Sequence, residues 1–166
     1  ARCAPAPWEH EDGLHIGSLR AWEPNYQSAT LIEACALARQ QLPGVPLQLH
    51  LLGGGSLEPA LRAQVQALGL APSVAFHGRL DDAGMAAVLA RCKISVTVPA
   101  SDATSVAMLE SMACGLAVVA SDLPANRQWI TPELLVPVRD AQALAQVLQR
   151  LASDDAQARQ AGERNA

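Results

Sequence analysis

The chain has 166 residues, half of them hydrophobic, with 12 Lys and Arg against 16 Asp and Glu for a formal net charge of −4. That is enough length and apolar content for one domain with a buried core, and it excludes a disordered chain. The acidic balance gives no electrostatic footprint for nucleic acid, and no apolar run reaches the roughly 20 residues of a membrane-crossing helix.

No signal peptide is visible, and the start Ala1-Arg-Cys-Ala lacks an initiator Met, so the chain reads as a piece of a longer protein. Residues 1–13 read as a leader or linker. Leu14–Leu19 is the first strand. Ser28–Gln41 follows as a helix, with Leu31, Ile32, Cys35, Ala36, Ala38 and Leu42 at helical spacing and Ser28 as its cap. Pro43-Gly44 stops that helix. Leu47–Leu52 is the second strand and Leu57–Leu68 the second helix, closed by Gly69. Val74–His77 is a third strand, Asp82–Arg91 a helix, and Ile94–Val98 a fourth strand. A helix from about Thr104 to Cys114, the strand Ala117–Ala120, a last strand near Leu134–Val136 and the helix Ala141–Ala152 complete residues 14–153. The Gln-, Arg- and Ala-rich tail, 154–166, reads as a helix with nothing of its own to pack on.

Strict strand–helix alternation with short connections predicts an α/β fold: a doubly wound, mostly parallel, Rossmann-like sheet covered on both faces. Ligands of such sheets bind beyond the carboxyl ends of the strands, at the topological switch point. The loops after Leu19, Leu52, His77, Val98 and Ala120 are therefore the ones to inspect. The four cysteines, Cys3, Cys35, Cys92 and Cys114, have no metal-ligand spacing. Cys35 and Cys114 fall on apolar helix faces and read as buried thiols, which suits a reducing cytoplasm.

Four loops offer chemistry. Arg20 follows strand one and can form charge-assisted bonds to a diphosphate, or stand solvated. Gly53-Gly-Gly-Ser56 follows strand two and fits either a phosphate turn or a plain tight turn. It is not the GxGxxG fingerprint, since Leu57-Glu58 stands where the third glycine belongs. After strand three, Gly78 lets main chain face a planar base with Arg79 nearby, while His77 reads as packed rather than catalytic. The richest stretch runs from Ser101 to Gly115. It places Asp102 and Glu110 eight positions apart across a helix start, with Thr104, Ser105 and Val106 at the open end. Unpaired N–H groups and the positive end of the helix dipole suit a phosphate, and Glu110 suits sugar hydroxyls. In the plain reading, Asp102 caps the helix and Glu110 is solvated.

The segment from Ser101 to Trp129 resembles the carboxyl-terminal domain of the group 1 (family four) retaining glycosyltransferases. The resemblance rests on Asp102-(seven residues)-Glu110, Met112-Ala-Cys-Gly115, Val118-Val-Ala-Ser-Asp122 and Pro124-Ala-Asn126-Arg-Gln-Trp129. Gly53 and Phe76-His-Gly78 fall in the same order and spacing. The resemblance implies one half of a two-domain GT-B enzyme, with a cytoplasmic hexosyl transfer from a nucleoside diphosphate sugar, such as a UDP- or GDP-hexose, with retention. It further implies that Glu110 holds the ribose, Asp102 faces the sugar, and the N–H groups of Thr104, Ser105 and Val106 meet the distal phosphate. Main chain at Arg79-Leu80 would contact the base, Gly53-Gly54 would line the cleft, and Arg20 would compensate the leaving diphosphate without a metal. The acceptor domain would lie amino-terminal to this chain, leaving the chain alone without turnover, and the full-length enzyme could associate with a membrane surface.

Three positions depart from that pattern. Asp102 replaces a glutamate, Ala103 a glycine, and Asn25 the lysine expected five residues after Arg20; the only lysine in the chain is Lys93. Arg127 is a candidate substitute cation. These departures keep a non-catalytic nucleotide-sugar-binding module open, and half of a sugar-nucleotide epimerase is the enzymatic alternative. A dehydrogenase half would need GxGxxG after strand one, and that is not here.

Overall fold

The structure, a computed structural model, describes residues 13–153 and 160–162; the rest of the expected leader and tail lies outside these residues. Six strands form one sheet in the order β3-β2-β1-β4-β5-β6, every paired neighbour parallel. They are β1 Leu14–Ser18, β2 Leu47–Leu52, β3 Val74–Gly78, β4 Ile94–Thr97, β5 Ala117–Ser121 and β6 Leu135–Val136. The helices are α1 Ser28–Gln41, α2 Glu58–Ala67, α3 Asp82–Leu89, α4 Val106–Ala113, α5 Pro124–Arg127 and α6 Ala141–Ser153. The doubly wound expectation holds, with α5 the one helix the spacing did not delimit.

A strand covered on both faces keeps few polar residues, and the register separates them. Leu14 and Ile16 of β1, Leu47, Leu49 and Leu51 of β2, and Ile94 and Val96 of β4 all point into the larger core. That core also takes Leu31, Ile32 and Cys35 of α1 and Leu144, Leu148 and Leu151 of α6. Full burial of each such leucine contributes about 1.5–3 kcal/mol. The opposite face is thinner: Leu52, Val88, Leu89, Cys92, Cys114 and Leu116 form a second, smaller core there. Gly17 belongs to that face, where a Cβ would sit 3.3 Å from the Cys92 sulfur. His15, His50, His77, Ser95 and Thr97 share it by strand alternation.

Two local expectations change. Ser28 is the first residue inside α1 rather than its cap. The cap position belongs to Gln27, in the left-handed region at φ 58, without a side-chain cap bond. In the tail, residues 160–162 are helical and Ala161 is 2% exposed within the larger core, so this part does have something to pack on.

Candidate functional site

The sheet order reverses between β1 and β4, so the loops that leave these two strands diverge and open the crevice that α/β sheets use for ligands. Arg20 leaves β1 on one side, and Asp102 and Ser105 leave β4 on the other. The structure joins them directly. Arg20 donates from Nη1 to Asp102 Oδ2 at 2.9 Å, with the side chains only 11% and 22% exposed. The same nitrogen donates to the Ser105 hydroxyl, and the guanidinium lies over the Tyr26 ring at 4.5 Å.

Ser105, not Asp102, caps α4: its oxygen accepts the Met108 N–H at 3.2 Å. With Arg20 and Met108 both donating to it, the Ser105 hydroxyl keeps its own hydrogen to give. The N–H groups of Val106 and Ala107, at the first positions of α4, have no partner inside a helix. Thr104 and Val106 are exposed, Val106 by 70%. Glu110 lies five residues beyond the cap, about 7.5 Å along the axis. It is exposed, and its carboxylate has no hydrogen bond or ion pair among the described residues.

Asn25 is a latch. Its backbone carbonyl accepts the Ala100 N–H at 2.8 Å. Its side-chain amide donates to the Ser101 carbonyl at 2.9 Å and accepts the Ser101 N–H at 3.1 Å and hydroxyl at 3.2 Å. The β1 and β4 loops are thereby zipped together where the sequence suggested only a lost positive charge. This use of Asn25 escapes sequence reading because it depends on which strands are neighbours, and the Tyr26 contact because it depends on the conformation of the loop after β1.

The glycine turn after β2 is shaped by the chain itself. A Cβ on Gly53, at φ 144, would lie 3.0 Å from the Arg20 carbonyl oxygen, and one on Gly55 would lie 2.3 Å from that of Trp22. Glu23 bridges the same two loops. It accepts the Ser56 N–H at 3.0 Å and the Ser56 hydroxyl, and these bonds, the hydroxyl first, hold its carboxyl below the usual range. Gly54 faces the Arg79 guanidinium, 3.5 Å from where a Cβ would stand. Arg79 and Leu80 are exposed at the end of β3. Thus Arg20, Asp102 and Ser105 meet, Gly53 seats the Arg20 backbone, Gly54 neighbours Arg79, and Thr104, Val106, Leu80 and Glu110 stay open to solvent. Arg127 is held by Asp122 at 2.7 Å, with both side chains about half exposed.

A second polar cluster lies inside the thinner face. His15 Nδ1 is 2.8 Å from His50 Nε2, and His50 Nδ1 is 2.8 Å from His77 Nε2. The rings stack with centroids 5.1 Å apart in both pairs. His15 and His50 are buried, and His77 is half-buried. The packed reading of His77 therefore holds; the row it ends is visible only once the strand register is known. Cys35 and Cys92 are buried thiols, pushed up to about 12 by desolvation. Cys114 is buried as well, 2% exposed in the smaller core. Among the described residues, no group of three or more His, Cys, Asp or Glu is arranged to hold a metal ion, and no helix is long and apolar enough to cross a membrane.

Comparison with known proteins gives a concordant picture. Residues 11–154 match the model of the family described as "Glycosyl transferases group 1". A phosphatidyl-myo-inositol mannosyltransferase of Mycobacterium leprae is 35% identical over 142 residues, covering 80% of this chain and 35% of that protein. An exopolysaccharide phosphotransferase of Streptomyces coelicolor is 33% identical over 158 residues, 92% of this chain and 16% of its own length. The chain thus spans well under half the length of either relative. Among solved structures, S. aureus TarM in a complex containing UDP superposes with a TM-score of 0.86 at 20% identity, covering 99% of this chain and 34% of that one. Its fold is that of this sheet.

Proposed function

The chain belongs to the group 1 glycosyl transferases, and from that premise we propose that it is the donor-binding half of an enzyme that moves a hexosyl group from a nucleoside diphosphate sugar with retention of configuration. The observation that carries the proposal is the meeting of Arg20, Asp102 and the Ser105 cap at the β1–β4 switch point. Arg20 and the start of α4 meet the diphosphate, and they stabilise the charge that develops on it as the glycosidic bond breaks. Asp102 takes sugar hydroxyls, Glu110 takes the ribose, main chain at Arg79-Leu80 meets the base, and Gly53 and Gly54 floor the cleft. The proposal calls for no metal at this site.

The TarM complex contains UDP, and several relatives are named mannosyltransferases. UDP- and GDP-hexoses are therefore the donors to try first. An acceptor domain amino-terminal to this one completes the cleft in the proposal, so the chain alone binds donor without turnover. For the full-length enzyme we propose cytoplasmic work at a membrane surface, which the phosphatidyl-myo-inositol named for its relatives supports. A second reading, a nucleotide-sugar-binding module without chemistry, is favoured by one observation: Asn25 is committed to Ser101, where the resemblance expects a cation.

Calorimetric titration with UDP, GDP, UDP-glucose and GDP-mannose, beside Glu110→Ala, tests the proposal. Binding of one nucleotide family, weakened at least tenfold in the variant, is expected. No binding to any of them, or binding indifferent to Glu110, would overturn the site. Sugar transfer by the isolated chain would overturn its dependence on a second domain.

A further inference from the structure

We propose that Asp102 acts as a counter-charge on Arg20, making the site select an intact nucleotide sugar over the bare nucleoside diphosphate left after transfer. The inference rests on the functional reading above and adds a specificity device to it. Asp102 and Arg20 are bonded at 2.9 Å and mostly shielded from solvent, so together they present no net charge to an incoming anion. The residue five positions after Arg20 adds no cation, because Asn25 is an amide whose carbonyl and amide groups are both engaged by Ser101. What remains for a phosphate is the partial charge at the start of α4 and the Ser105 hydroxyl hydrogen.

Consider the two ligands at that site. A bare diphosphate terminus approaches the Arg20 guanidinium with its full charge and meets Asp102 at the same nitrogen. It must either displace the carboxylate or share the arginine with it, and like charges that close oppose each other at low dielectric. A displaced Asp102 is left partly buried and unpaired, a costly state. A nucleotide sugar carries one ionisable oxygen fewer on its distal phosphate and brings hydroxyl donors. As its phosphate takes Arg20, its hydroxyls can satisfy Asp102, so each partner of the ion pair is exchanged for a new one. Asn25 supports the exchange by pinning Ser101, the residue before Asp102, through its backbone. The carboxylate therefore cannot swing clear of the arginine cheaply. The consequence is discrimination against the reaction's own diphosphate product, which favours its departure.

The test is calorimetry on this chain and on Asp102→Asn, Asp102→Glu and Asn25→Ala, each checked by thermal melting, with UDP, UDP-glucose, GDP, GDP-mannose and inorganic pyrophosphate. Wild-type protein should bind the sugar conjugate more tightly than the matching diphosphate. In Asp102→Asn, affinity for the diphosphate and for pyrophosphate should rise about tenfold and the preference should collapse. Asp102→Glu should retain the preference, and Asn25→Ala should weaken it by less than Asp102→Asn does. Equal loss of all ligands in Asp102→Asn, or an unchanged ratio, would overturn the proposal, since that is what a plain sugar contact or a plain structural pair gives. If no nucleotide binds either protein, the pyrophosphate arm still decides. Tighter pyrophosphate binding in Asp102→Asn then upholds the counter-charge while the nucleotide reading fails, and unchanged pyrophosphate binding rejects the counter-charge too.

Discussion

Two polar clusters bridge strands of this sheet, and they are built on opposite terms. The histidine row crosses β1, β2 and β3 inside the thinner face, with two of its rings buried and ring nitrogens meeting ring nitrogens at 2.8 Å. The Arg20–Asp102–Ser105 cluster crosses β1 and β4 at the rim, beside the exposed Thr104, Val106 and Glu110. In the first, the central ring and one neighbour are buried from water, so losing a partner there leaves a buried polar group short of a bond. In the second, the partners stand beside open solvent and unpaired helix N–H groups, so one partner can be traded for another. A polar network in this fold is structural where its replacements are excluded, and functional where they can enter.

The largest effect should come from breaking the row at its centre. His50→Leu removes both ring–ring bonds and strips His15 Nδ1 of its ring partner, and should lower stability by about 2–4 kcal/mol in urea unfolding. Nucleotide affinity of the fraction still folded should stay within twofold. Arg20→Ala should do the reverse. Donor affinity falls on the order of 100-fold, about 2–3 kcal/mol, while stability falls by only about 1 kcal/mol, the cost of leaving Asp102 partly buried at the rim without its cation. Should Arg20→Ala unfold the protein while sparing ligand binding, the division between the clusters fails. Ser105→Ala lies between them. Losing the cap of α4 should cost about 1 kcal/mol, and because the same oxygen anchors Arg20, binding should weaken several-fold as well.

The contrast also explains what the sequence could carry. Arg20, Asp102 and Ser105 each stand out alone, as a cation after a strand and as a polar helix start, and the β–α alternation is enough to put them at one sheet edge. Their mutual bonding is not legible, since Arg20 and Ser105 are 85 residues apart and meet only because β1 and β4 are adjacent. Asn25 reads as a missing charge for the same reason; its Ser101 partner is 76 residues away. The glycines after β2 show a need for close approach but not what approaches, and what approaches is the backbone of the β1 loop. Ser28 fails as a cap because Gln27 takes the left-handed conformation one residue earlier, a choice that propensity does not encode. The histidine row is the extreme case. Three histidines on three strands look unrelated until the register puts them on one face.

The smallest predicted effect is a pH dependence that only the row should show. Two ring–ring contacts hold one hydrogen each, and the outer nitrogens of His15 and His77 hold at most one more each. With both contacts intact the row carries four hydrogens at most, one more than three neutral imidazoles require. Acid therefore enters at its more open end, His77, where burial first and the Arg91 charge second hold the imidazole below its ordinary value. A folded-state value below the unfolded one means that the unfolded chain binds more protons in the intervening window. Stability should then be complete above about pH 6.5, the unfolded value, and decline as pH falls through the folded value. Urea midpoints taken between pH 8 and pH 5 should show the decline in wild-type protein and a flatter one in His77→Gln, which keeps an amide able to bond His50 but cannot titrate. An identical slope in the variant would mean that other groups set the acid limit. Arg20→Ala should leave the slope unchanged, because the rim cluster and the buried row answer to different solvents.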